Sequence, residues 1–133
     1  NNFNDYKKEG IIMGYYSDIA VVMRKVRYTE LLKSIDAIND NKLKDNVKTL
    51  MKSAYVEESP CKKWVAIKWT NKKWYVHEYA YVGFIDAFFD KLDEEEPQND
   101  YRIIRVGEDY DDIEIFGACS IGIALNRCIK VGF

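Results

Sequence analysis

The stretch Ile19-Ala20-Val21-Val22-Met23, inside YYSDIAVVMR (15–24), is apolar at five consecutive positions. An extended chain turns alternate side chains to opposite faces. A run rich in Val and Ile therefore leaves water only if both faces are covered. It predicts a central strand, and a central strand needs a sheet with other elements stacked on it.

The rest of the pattern fits around that strand. Leu31, Leu32, Ile35 and Ile38 share one helical face, and Leu43, Val47, Leu50, Met51 and Ala54 share another. The two sets are out of phase, with Asn39-Asp40-Asn41 between them. This predicts two helices, or one helix broken at these turn-forming residues. Tyr55–Glu58 and Trp64–Trp69 read as a hairpin about Ser59-Pro60. Thr70–Lys73 reads as a turn and Trp74–Val76 as a short strand. Val82, Ile85, Phe89 and Leu92, widened by Phe84 and Phe88, predict a helix over Tyr81–Glu94 that Pro97 stops. Tyr101–Val106 and Ile113–Ala118 form a second hairpin about Gly107–Asp112. In the tail, Ile121, Ile123, Leu125, Ile129, Val131 and Phe133 alternate as in a half-buried strand interrupted at Arg127. The order of elements predicts an α+β fold, a single antiparallel sheet with helices on one face. A ferredoxin-like split βαβ with an extra C-terminal strand is the topology it suggests.

With 133 residues, 47% of them apolar, the chain fits one globular domain. No apolar run approaches the ~20 residues of a membrane helix, and no secretory pattern is present. Three scattered cysteines, Cys61, Cys119 and Cys128, point to a reducing, cytoplasmic setting rather than a disulfide framework. Residues 1–12 read apart from the domain. Lys8-Glu9-Gly10 back-translates to a purine-rich ribosome-binding sequence, and Ile11-Ile12 give a short spacer before Met13. Met13 is thus the expected natural start, with residues 1–12 a leader or, alternatively, a flexible arm, and 13–133 the α+β domain.

Charge is unevenly spread. Residues 1–85 hold 15 Lys and Arg against 10 Asp and Glu, and residues 86–133 hold 5 against 12. Asp86, Asp90, Asp93, Glu94, Glu95 and Glu96 lie on the predicted helix and its end. Glu108, Asp109, Asp111, Asp112 and Glu114 lie on the following hairpin. Charge runs are usually solvated faces. Carboxylates at a helix C-terminus, however, oppose the macrodipole, and two consecutive acidic elements can build one negative patch. The candidate partner-binding residues are therefore Asp93, Glu94, Glu95, Glu96, Glu108, Asp109, Asp111, Asp112 and Glu114, with Tyr110 as an aromatic anchor. The hairpin lacks the spacing of a calcium loop, so no metal and no cofactor are assigned. Arg102 and Arg105 are its expected cross-strand partners.

Two other readings compete. Trp69 and Trp74, interleaved with Lys68, Lys72 and Lys73, could stack the bases of a single-stranded nucleic acid while ammonium groups neutralise phosphates. Spacings of five, though, put successive tryptophans on opposite faces of a straight strand, so at least one belongs to the core. Catalytic signals are thin. His77 is the sole histidine, and a small cysteine-dependent enzyme would need it beside one of the three cysteines.

MGYYSDIAVVMRK (13–25) and YRIIRVGEDYDDIEIFG (101–117), with Ile67-Lys68-Trp69 and Lys73-Trp74-Tyr75 between them, resemble a group of small uncharacterised phage and prophage proteins of low-GC bacteria. Those proteins open Met-Gly-Tyr-Tyr-Ser/Thr-Asp/Glu-Val/Ile-Ala and carry an Ile-Arg-x-Gly-Glu-Asp-x-Asp-Asp-Ile-Glu block, here Ile104–Glu114. The likeness spans residues 13–125. It implies a mobile-element protein acting in the bacterial cytosol and brings no catalytic residue with it. The expected function is a non-enzymatic accessory protein that binds and modulates a host macromolecule, such as a nucleic-acid-handling protein, through its acidic surface. A homodimer paired through a C-terminal edge strand is the structural alternative.

Overall fold

The computed structural model describes residues 14–95, 100–119, 122–125 and 129–132. Ten elements follow in order: β1 (Ser17–Arg24), α1 (Lys25–Asp36), α2 (Asn41–Lys52), β2 (Tyr55–Glu58), β3 (Trp64–Lys72), α3 (Ala80–Glu95), β4 (Asp100–Gly107), β5 (Ile113–Cys119), β6 (Gly122–Leu125) and β7 (Ile129–Gly132). The first five strands make one antiparallel sheet in the order β2-β3-β1-β4-β5, and β6 and β7 pair separately. The fold is α+β. The segment β2-β3-β1-β4 has the order of a split βαβ fold. A helix pair replaces its first crossover helix, and β5 is added outside β4.

β1 sits at the centre, as its apolar run requires. Ile19, Val21 and Met23 face the helices, and Ala20 and Val22 on the other face are 0% exposed. The helix-side core adds Leu31 and Ile35 from α1, Val47 and Leu50 from α2, and Val82, Ile85, Phe88, Phe89 and Leu92 from α3. On the far side β7 lies against β1. The β6–β7 register pairs Ile123 with Val131 and Leu125 with Ile129. The tail thus forms a ribbon rather than one interrupted strand. Ile121, Phe133 and Pro97 lie outside the described residues.

The interruption between α1 and α2 falls where the turn-forming residues stand. Asp40 caps α2, its carboxylate accepting from Leu43 N–H at 2.9 Å. Such a cap satisfies one of the orphan donors of a first turn and contributes about 1 kcal/mol.

The region after Trp69 departs from expectation. Thr70–Lys73 is not a turn, because β3 continues to Lys72, and Trp74–Val76 is not a strand. The register slips between Ser17 and Ile19, so two residue steps on β1 face three on β3. Asn71 absorbs the extra residue with φ 52°, a left-handed conformation that Asn tolerates. Its N–H donates to Asp18 Oδ1 at 2.9 Å. A turn then follows, with Tyr79 N–H bonded to the Tyr75 carbonyl at 2.9 Å. The bulge brings Trp74 back to the side of Trp69, with ring centroids 5.1 Å apart. Trp64 stays on the other face, under the Arg24 guanidinium at 5.4 Å.

Candidate functional site

The loop between β4 and β5 is a tight turn closed by Gly107 N–H to the Asp112 carbonyl at 2.8 Å and Asp112 N–H to the Asp109 carbonyl at 3.0 Å. Gly107 is required here. A Cβ at that position would run into the Asp112 carboxylate and the Tyr15 hydroxyl. The absent side chain lets Tyr15 lie across the loop, donating to Asp112 Oδ2 at 2.6 Å and accepting from Asp109 N–H at 3.1 Å. Tyr16 N–H donates to Glu108 Oε2 at 2.5 Å. Tyr15 N–H donates to the Tyr75 hydroxyl at 2.6 Å. The segment entering β1 therefore ties the β4–β5 loop to the turn after β3.

Arg105 holds the centre. It stands opposite Ile19 on one side and Glu114 on the other. Its fork bonds both Asp112 oxygens, at 2.6 and 3.2 Å, and donates to Ser17 Oγ at 3.0 Å. It also meets Glu114 Oε1 through Nη2 at 2.5 Å and Nε at 3.0 Å. Burial would lower the guanidinium's affinity for its proton, but the bonds to Asp112 and Glu114 outweigh it and raise its pKa. The hydrogen bonds from Arg105 hold the Asp112 carboxyl below its ordinary range, against the opposing effect of burial. Burial, reinforced by the bond to Asp112, pushes the Tyr15 phenol up to about 12, so it remains a donor at neutral pH.

Beside this clamp opens a cleft of about 630 Å³. Tyr15, Ser17, Trp74, Tyr75 and His77 line it together with Asp86, Arg105, Asp109, Asp111, Asp112 and Glu114. Asp86 reaches it from the first half of α3. Burial raises the Asp86 carboxyl above its ordinary range, Asp90 and Glu114 add to the effect, and a hydrogen bond from the Trp74 side chain opposes it. Five carboxylates thus share a concave surface with one guanidinium and one exposed imidazole. Among the described residues no three His, Cys, Asp or Glu side chains are grouped to hold a metal ion. The negative charge is spread along the cleft instead of focused at a point.

The structure divides the acidic residues read from the sequence. Asp93, Glu94 and Glu95 lie at the C-terminal end of α3, beside the start of β4, where the Tyr101 hydroxyl donates to Asp93. The Glu108–Asp112 loop lies at the other end of β4, about 20 Å away by strand rise. Asp93 shares a groove with Glu114 of the hairpin group, whereas Glu94 and Glu95 do not line it. Glu95 is bonded to Arg27 at 2.9 Å, and Glu96 lies outside the described residues. Asp109, Asp111, Asp112 and Glu114 do come together, in the cleft. Tyr110 is 81% exposed at the loop tip and is not among the cleft-lining residues. Of the two arginines expected across the hairpin, Arg105 pairs with Glu114, whereas Arg102 faces Gly117 and Val22. Asp86 and His77 join the site from elements the hairpin reading did not include. The signal for Asp86 was a carboxylate in the otherwise apolar first half of the helix.

The competing sites fare differently. Trp69 is 0% and Trp74 9% exposed, so neither offers a face on which a base could stack. Lys68 lies on the face of β3 opposite Trp69, and Lys72 and Lys73 lie beside Trp74. Cys61 and His77 flank opposite ends of β3, roughly 25 Å apart by strand rise, too far for a nucleophile–base pair. Cys128 lies outside the described residues. No helix among the described residues is long and apolar enough to cross a membrane.

No family model matches the sequence, and neither the curated proteins nor the solved structures provide a match.

Proposed function

We propose that this protein is a binding module that captures a basic segment of a partner macromolecule in the cleft between α3 and the β4–β5 hairpin. One observation carries the reading. Asp86, Asp109, Asp111, Asp112 and Glu114 line one concave surface in which, among the described residues, Arg105 is the sole arginine or lysine. Like charges held together in a partly desolvated cleft repel one another, and an incoming cation relieves that repulsion. Spread charge of this kind favours lysine and arginine side chains on a chain over a single coordinated ion. The resemblance to phage and prophage proteins supports a partner in the bacterial host, a nucleic-acid-handling protein with a basic surface being the natural class. Occlusion of that surface is the mode of modulation.

The test uses an acetylated, amidated, fluorescently labelled hepta-lysine peptide. Asp86→Asn/Asp111→Asn removes two cleft charges that the Arg105 clamp does not use. Two lost charge contacts of about 0.7 kcal/mol each weaken binding roughly tenfold. Raising salt from low to physiological strength shrinks the difference. Equal affinity of the variant and the natural sequence overturns the reading.

Asp86→Asn also separates binding from stability. A carboxyl whose folded pKa is raised binds its proton more tightly in the folded state. It therefore opposes folding at neutral pH, and this opposition is relieved as pH falls through the folded pKa toward the unfolded value of about 3.9. Asp86→Asn is thus expected to leave stability at pH 7 unchanged or higher in urea titration while binding falls. A clear loss of stability would make Asp86 a structural carboxylate instead.

A further inference from the structure

We infer that the partner segment binds as an added β-strand on β5, extended, with lysine or arginine at alternate positions and apolar residues between them. This rests on the reading that the cleft takes a basic segment, and it specifies the segment's conformation.

β5 ends the sheet, and among the described residues no strand lies on its outer edge. Sheet edges are commonly guarded by Lys, Pro or an outward charge. β5 reads IEIFGAC and contains no lysine or proline. Its one charge, Glu114, is bent inward onto Arg105. Ile113, Ile115 and Phe116 are 40%, 47% and 46% exposed. The stretch 113–116 is therefore an open, apolar template. Gly117, with φ 76° and packed beneath the Tyr101 ring, closes it at the far end.

A groove between α3 and the helix-facing side of β1, β4 and β5 reaches this strand, continuous with the cleft through Asp86, Arg105 and Glu114. Ile19, Ile103 and Phe116 line its sheet side, with Phe116 outermost, and Asp86, Phe89, Asp90 and Asp93 line its helix side. A helix beside a free strand edge is the geometry in which proteins accept extended peptides by main-chain pairing. Charge then selects the sequence. Asp86 and Asp90 are one helical step of four residues apart, about 6 Å along the axis. Side chains on one face of an extended chain repeat every ~6.7 Å. Basic residues at alternate positions therefore meet successive carboxylates while their stems cross Phe116. On the opposite face, Ile113 and Ile115 favour apolar residues at the intervening positions. A second copy of β5 would bring Glu114 instead of lysine to the carboxylate row, so self-pairing is electrostatically opposed.

The probe is the acetylated, amidated peptide Lys-Val-Lys-Val-Lys-Val-Lys, unmodified or carrying backbone N-methyl groups on every valine or on every internal lysine. Successive N–H groups of a strand point to opposite edges, so each methylated form blocks one edge. The expected result is that one form loses at least tenfold in affinity while the other binds like the parent. Hydrogen exchange on the protein is expected to gain protection at alternate amides of residues 113–116 when the parent peptide binds. If both methylated forms bind like the parent, or if β5 gains no protection, strand addition is overturned. Asp86→Asn/Asp111→Asn sensitivity would in that case still uphold the acidic cleft. Failure of the parent peptide to bind while hepta-lysine binds overturns strand addition alone, and failure of both peptides removes both readings. Protection of β5 accompanied by dimerisation in sedimentation without peptide assigns the edge to a second copy and overturns the inference.

Discussion

Trp69→Ala is expected to cost about 3–5 kcal/mol of folding stability, at the upper end for large-to-small core substitutions. Trp69 is 0% exposed and packs against Trp74 and Phe89 at centroid distances of 5.1 and 6.4 Å. Its indole N–H also donates to the Leu50 carbonyl at 2.9 Å, near the end of α2. Removal opens a cavity under α2 and α3 and strips a buried donor from a helix terminus. Small domains hold about 5–15 kcal/mol in total, so the variant is left marginal, with a melting temperature lower by roughly 10–15 °C. Trp69→Phe keeps most of the apolar volume and loses the donor. The Leu50 carbonyl retains Ser53 Oγ at 2.6 Å, which limits this cost to about 1–3 kcal/mol. Urea titration of the three proteins checks the series. A change under about 1 kcal/mol for Trp69→Ala would mean that the tryptophan does not organise the core. The same variant bears on nucleic-acid binding. A stacking residue lowers oligonucleotide affinity when removed and leaves stability nearly intact, and the reverse is expected here.

How far the sequence carried this structure depends on the range of each interaction. The central strand was legible because two-faced burial leaves a local mark, the unbroken Ile19–Met23 run. The break between α1 and α2 was legible because Asp40 can cap α2 from its own neighbourhood. The path after Trp69 was not. Thr70-Asn71-Lys72 has turn composition, and only the register against Ser17 and Ile19 decides that Asn71 serves as a bulge in a continuing strand. That pairing crosses about fifty residues of chain. The same limit applies to the candidate site. The acidic hairpin could be read directly, and its Arg105–Glu114 pair followed from strand pairing. The convergence of Asp86 and His77 on it could not be read, because α3 and the turn after β3 reach the hairpin only through tertiary packing. Treating acids close in sequence as close in space joined Asp93–Glu96 to the hairpin. The helix and β4 run back along each other, so Glu94 and Glu95 at the end of α3 lie beside the start of β4 and away from its loop.

Arg105→Met tests whether the hairpin end of the sheet depends on its clamp. The side chain is 18% exposed, that of Asp112 28% and that of Glu114 49%. Removing the guanidinium leaves both carboxylates facing each other and Asp86 without their counter-charge. A partly buried carboxylate stripped of a bidentate partner costs about 2–3 kcal/mol, and half-exposed Glu114 adds little. The loss depends on pH. In the natural sequence the Asp112 pKa is depressed by Arg105. Asp112 therefore contributes stability above the unfolded value of about 3.9, and that contribution disappears as pH falls through the lower folded pKa. Without Arg105 the depression is gone. The gap between the two proteins is expected to be widest from pH 5 to 7 and to close below about pH 3. Arg105→Lys restores one positive charge without the planar fork that spans Asp112, Glu114 and Ser17, and should recover only part of the loss. Urea titrations between pH 2.5 and 7 decide the matter. Parallel pH profiles for the natural sequence and Arg105→Met would show that Asp112 draws its low pKa from elsewhere, and that the cleft is shaped by Tyr15 and the Gly107 turn without the clamp.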